Sequence, residues 1–103
     1  MTVKTKPFDP AKYLDSPDAI AAYLDEAFEI GDPEFIADAL GVVARAHGMS
    51  KIAKDSGLGR ESLYKALSPA GHPELETVVK VLRALGLRLS STPIVKTRSA
   101  LRK

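Results

Sequence analysis

Cysteine is missing from the chain altogether. That excludes a disulfide framework and any cysteine-based metal or redox site, and it fits a reducing cytoplasm. No apolar run approaches the roughly 18 residues of a membrane span. The leading stretch MTVKTKPFDPAKY has no apolar centre of the kind a secretory signal needs. A cytoplasmic protein without a membrane partner is expected. Histidine is scarce too: His47 and His72 stand 25 positions apart, with no His-x-x-x-His spacing, so no metal site is expected. His47 better suits a helix C-terminus, where a cation is favoured. No Gly-x-Ser-x-Gly elbow and no Walker sequence occurs. Gly57-Leu-Gly59 is half of a dinucleotide fingerprint, but no strand precedes it and the third glycine is absent. The acidic residues of the first predicted helix have no base or nucleophile set against them. Neither catalysis nor a cofactor is expected.

What is present is enough for one domain: 103 residues, 45% of them hydrophobic, can build a single core. The net charge of +2 conceals a division. Residues 1–40 carry three lysines and nine acids, a sum of −6, and residues 41–103 carry twelve bases and four acids, a sum of +8. A basic half of this kind suits an anionic partner.

The pattern along the chain predicts helices. Residues 1–15 hold Pro7 and Pro10 and lack periodicity, so they read as an arm packing through Phe8, Tyr13 and Leu14. Ser16-Pro17 is an N-cap followed by proline at the first helical position. Ile20, Leu24, Ala27 and Phe28 then recur at helical spacing up to Gly31. Asp32-Pro33 repeats the device and opens a second helix, with Ile36, Leu40, Val43 and Ala44 as its apolar stripe and Gly48 as its end. A third helix is predicted over 50–56, a fourth over 60–67 and a fifth over 74–85. Leu87-Arg-Leu-Ser-Ser-Thr92 alternates like a short strand. The expected class is all-α with five helices, a short C-terminal strand and a basic tail over 93–103.

The third and fourth helices are only two turns long, and helices that short do not persist alone in water. Ile52, Ala53, Leu58, Leu63, Ala66 and Leu67 can clamp them to a common core. Small Ala53, then Gly57 where the turn needs a left-handed residue, then aliphatic Leu63 is the spacing of a helix-turn-helix, here 49–68. MSKIAKDSGLGRESLYKALS resembles the Xre/Cro-type helix-turn-helix. The flanking FDPAKYLDSPDAIAAYLDEAFEIGDPEFIADALG and HPELETVVKVLRALGLRLS are similar to the addiction-module antidote family, the HigA-like antitoxins encoded beside a RelE/HigB-like toxin. The resemblance covers roughly residues 8–92. It implies a lambda-repressor-like DNA-binding domain over 16–92, a homodimer, repression of its own operon and neutralisation of an RNA-cleaving toxin.

If Leu63, Ala66 and Leu67 face inward, steps of about 100° per residue put Arg60, Glu61, Tyr64 and Lys65 on the outer side. Arg60 can fork onto guanine, Glu61 can accept from cytosine or orient Arg60, Tyr64 can touch a thymine methyl or a phosphate, and Lys65 can read guanine or neutralise phosphate. Ser50 and Lys51 open the preceding helix, where free N–H groups suit phosphate. Ser62 and Ser68 can add hydroxyl contacts to the backbone. In similar repressors the residue before the recognition helix is often a polar cap; here it is Gly59, which has no reach.

A single short helix reads only a few base pairs, so a dimer on a palindromic operator in double-stranded DNA is expected. The strand over 87–92 can pair across the two-fold axis, or Val78, Val79 and Leu82 can meet their copies. The acidic first helix, where Asp25 and Glu29 stand four apart, is a candidate surface for a basic toxin. The alternatives are a stand-alone Xre-type regulator and a protein-interaction module that does not bind DNA.

Overall fold

A computed structural model of the protein describes residues 14–94. The predicted arm lies almost wholly outside these residues, Phe8 and Tyr13 included, as does the tail from residue 95 onward. Leu14, the last residue of the arm's anchor, is described and is buried.

Helix α1 (Pro17–Ile30) begins where the sequence says it should. The Ser16 Oγ accepts a hydrogen bond from the Ala19 N–H at 3.1 Å, and Pro17 occupies the first turn. This cap satisfies one of the N–H groups that a helix start leaves without a partner. Ile20, Leu24 and Ala27 form the buried stripe, and Gly31, with φ +77°, closes the helix by donating to the Ala27 carbonyl. Helix α2 (Pro33–His47) repeats the arrangement, with the Asp32 carboxylate accepting from the Glu34 N–H at 3.3 Å. Its buried set runs Ala37, Ala39, Leu40, Gly41, Val43 and Ala44, wider than one stripe, because α2 is covered from more than one direction. α1 packs on α2, while α3 (Met49–Ser56) packs on α2, on α4 (Arg60–Ala66) and on α5 (Leu75–Ala84). Arg45 and His47 occupy the last turn of α2, where the helix dipole favours positive charge.

Ile52, Leu63 and Leu67 are almost completely buried and hold the two short helices in place. Each contributes about 1.5–3 kcal/mol by leaving water, which replaces the propensity that two-turn helices lack. Between α3 and α4, Gly57 adopts φ +77° and donates to the Ala53 carbonyl. The Ser56 hydroxyl stiffens the same turn: it donates to the Ala53 carbonyl at 3.4 Å and accepts from the Leu58 N–H at 3.3 Å.

Four sequence expectations are corrected. Among the described residues no strand forms over 87–92. Instead the Leu87 N–H donates to the Leu82 carbonyl at 2.8 Å and the Gly86 N–H to Arg83, a Schellman closure of α5. Leu87 is therefore the anchor of a helix end, and the segment after it has no neighbouring strand to bond with. Phe28, expected in the apolar stripe of α1, is half-exposed, because it lies on the flank of the stripe that Ile20, Leu24 and Ala27 bury. Leu82, one of the residues suggested for contact with a second copy, is consumed by the chain's own core, whereas Val78 and Val79 are half-buried. Leu67 and Leu85, expected as last helical residues, are the caps of α4 and α5.

Candidate nucleic-acid interface

Helix α4 has one inward residue of full burial, Leu63, and every other large side chain on it points outward. Arg60, Glu61, Ser62, Tyr64 and Lys65 are all exposed. The Arg60 guanidinium lies 5.9 Å from the centroid of the Tyr64 ring, one turn along the same face. That separation is at the outer limit of a cation–π contact. Glu61 and Lys65 also stand one turn apart, yet no ion pair joins them; Lys80 with Glu76, at 3.0 Å, is the ion pair among the described residues.

Ser50 and Lys51 are exposed on the first turn of α3. That helix begins at Gly48, which supplies no side-chain cap, so its leading N–H groups have no side-chain acceptor. The same holds at Gly59 before α4. α1 and α2, by contrast, are both capped by side chains. Ser62 is exposed close to Gly59. Ser68 sits past the other end of α4, and its hydroxyl donates to the Lys65 carbonyl at 2.8 Å, a bond that finishes the helix. Ser68 is thus not gathered with Ser50 and Lys51 at a helix start.

The residues that seat α4 were not legible as site residues. Gly41, in the middle of α2, faces the Leu67 carbonyl so closely that a Cβ there would overlap it. Gly71 meets the Ala66 and Lys65 carbonyls in the same way. Two glycines therefore let backbone close around the C-terminal end of α4 and fix its height above α2. The available signal was weak: a glycine in a helix interior costs about 1 kcal/mol relative to alanine, so its presence asks for a packing reason.

Away from this face, a cavity of about 250 Å³ is lined by Leu14, Asp15, Ser16, Ile20, His47 and Leu85, among others. It brings serine, histidine and aspartate together, but not as a catalytic set. Ser16 is engaged as the cap of α1, Asp15 is exposed, and the buried His47 Nε2 has no hydrogen-bond partner. A nucleophile activated by a base requires a hydrogen bond between them. Among the described residues, no group of three or more metal-ligating side chains occurs, and no helix is long and apolar enough to cross a membrane. The Tyr23 phenol is pushed above its ordinary value by burial, then by Asp38, with Glu26 adding to the rise and Arg45 opposing it.

A family model described as "Probable addiction module antidote protein" matches residues 4–93. The chain belongs to this antidote family. A relative in Haemophilus influenzae, itself described as an uncharacterized protein, is 49% identical over 88 residues, covering 85% of this chain and 91% of its own length. No solved structure matches the chain. An antidote of an addiction module implies a toxin as its partner.

Proposed function

We propose that the protein is the DNA-binding antitoxin of a type II toxin–antitoxin module. It represses its own operon as a homodimer on a palindromic operator and neutralises a RelE/HigB-like toxin in the cytoplasm. The fold is lambda-repressor-like, and α3, the Gly57–Gly59 turn and α4 form an Xre-type helix-turn-helix. One observation carries the reading: α4 follows a three-residue turn, hides only Leu63 deeply, and offers Arg60, Glu61, Tyr64 and Lys65 on its open side. Membership of the antidote family supplies the toxin half.

In this reading α4 enters the major groove. Arg60 takes guanine O6 and N7, Glu61 accepts from cytosine N4, Tyr64 lies against a thymine methyl, and Lys65 reaches guanine. Ser50 and Lys51 hold a phosphate at the uncapped start of α3, where backbone N–H groups and the helix dipole favour an anion. Ser62 touches the flanking backbone through its hydroxyl, whereas the Ser68 hydroxyl proton is already committed to the Lys65 carbonyl. Phosphate contacts set the register and base contacts set the sequence.

The test is a gel shift on the protein's own promoter. Affinity should fall steeply with salt, by about 0.9 log unit per log unit of salt for each phosphate contact. Arg60→Ala should relax sequence preference at one base pair, losing about 1–3 kcal/mol of discrimination. Lys51→Ala should weaken all DNA about equally and flatten the salt slope. Parental binding by both variants would refute this assignment of contacts.

A further inference from the structure

The reading face of α4 is bounded at both ends. In the turn before it, Gly57 and Gly59 have no side chain and Leu58 packs against the core. After it, Ala66 is half-buried, Leu67 is buried, and the Ser68 hydroxyl donates to the Lys65 carbonyl. Ser62 is exposed, but its Oγ lies back toward Gly59, 3.7 Å from where a Cβ would stand there. It therefore sits beside the start of the helix, where a backbone contact is assigned to it. Arg60, Glu61, Tyr64 and Lys65 are the exposed side chains of α4 left to meet base edges.

Their chemistry is one-sided. Arg60 and Lys65 carry only donors, which suit the O6 and N7 acceptors of guanine. The Glu61 carboxylate carries only acceptors, which suit the N4 amino group of cytosine. None of these three charges is spent on an ion pair among the described residues, where Lys80 pairs with Glu76. The Tyr64 ring, 43% exposed, offers an apolar face to a thymine methyl. A planar amide is what the set lacks. Adenine is read in the major groove by Asn or Gln, whose amide donates to N7 and accepts from N6 together. The chain contains no asparagine and no glutamine at any position. Neither α4 nor any other segment of it can make that two-bond contact.

The length of α4 sets the size of what is read. From Arg60 to Lys65 the helix rises about 7.5 Å. Base pairs follow one another at about 3.4 Å, so the four side chains span about three pairs. The Arg60 guanidinium stands 5.9 Å from the centroid of the Tyr64 ring, which makes the guanine and the thymine they meet neighbours in the duplex.

We propose that each operator half-site has a G·C-dominated core of about three base pairs: a guanine at Arg60, a neighbouring thymine at Tyr64, and a further G·C contact through Glu61 and Lys65. Adenine enters this core only as the partner of the thymine. The inference rests on the DNA-binding reading and adds to it the class of sequence bound. A·T pairs elsewhere in the operator act through groove shape and flexibility, not through adenine N6 and N7.

The experiment is a competition gel shift with the full chain and the promoter segment that it protects in footprinting, synthesised with base analogues. 7-Deazaguanine in a half-site removes the N7 acceptor and should lower affinity by about tenfold. 7-Deazaadenine should bind as adenine does. Deoxyuridine for the thymine removes one methyl and should cost about fourfold. In Arg60→Ala, whose lost side chain is exposed and whose melting temperature should be parental, the 7-deazaguanine penalty should shrink. A 7-deazaadenine penalty equal to that of 7-deazaguanine overturns the G·C core and leaves DNA binding standing. So does a 7-deazaguanine penalty that is absent, or that Arg60→Ala and Lys65→Ala both leave unchanged. A chain that binds its own promoter no better than unrelated DNA overturns both.

Discussion

Replacing Gly41 by alanine is the sharpest test of how α4 is held. By helix propensity alone the change should stabilise α2 by about 1 kcal/mol. The structure argues for the opposite sign. A Cβ at Gly41 would lie inside van der Waals contact with the Leu67 carbonyl oxygen and press on its carbon, and both are backbone atoms that no rotamer change can clear. The end of α4 must lift by about 1 Å, at the usual overpacking cost of about 1–3 kcal/mol. Leu67 itself, only 1% exposed, must move with it. The propensity gain offsets part of this, leaving a net loss of up to about 2 kcal/mol. For a domain of this size that lowers the melting temperature by about 4–8 °C for each kcal/mol lost. Urea and thermal unfolding measure the change, and operator affinity should fall as well, since α4 is tilted. An alanine variant more stable than the parent would refute the close approach of α2 to the end of α4, and with it the account of how this helix is positioned.

Ser16→Ala should destabilise the fold by about 1 kcal/mol through loss of the α1 cap, read from the urea midpoint at an unchanged slope. The weaker cap at Asp32, longer and exposed, should cost less on the same substitution. Tyr23 sets an alkaline limit. Its folded value lies above its unfolded one, so its contribution is complete below the unfolded phenol value and is lost as pH rises through the folded value. Stability measured from neutral to strongly alkaline pH should therefore fall on the alkaline side, and Tyr23→Phe should flatten that decline. An identical alkaline limb in the variant would count against the burial of this phenol.

Features that depend on near neighbours in sequence were legible. Ser16-Pro17 and Asp32-Pro33 announce helix starts because a cap bonds within three residues of itself, and both caps form. Gly57 announces the turn because only its local backbone demands it. Ile52, Leu63 and Leu67 could be assigned to the core from their spacing. What depends on distant parts of the chain was not legible. The alternation of Leu87 and Leu89 looked like one face of a strand, but Leu87 folds back on Leu82 to end α5, while Leu89 is exposed. Phe28 sits in the right period for the core, yet period alone does not reveal how wide a face the opposing helix covers. Gly41 and Gly71 have meaning only because the end of α4 comes to rest between them. The outward side of α4 was derived from Leu63, Ala66 and Leu67 together, and the exposure of Arg60, Glu61, Tyr64 and Lys65 agrees with that derivation.

The approach of the Arg60 guanidinium to the Tyr64 ring, 5.9 Å from its centroid, has a consequence for how a sequence preference would change under mutation. A guanidinium resting on a ring has already surrendered part of its rotational freedom, so less is lost when it forks onto a base. If α4 reads DNA as proposed, the two side chains would then act as one reading element and not as two separate letters. Removing the ring frees the arginine, removing the arginine strips the ring of its lid, and the double variant should lose less than the two single losses added together.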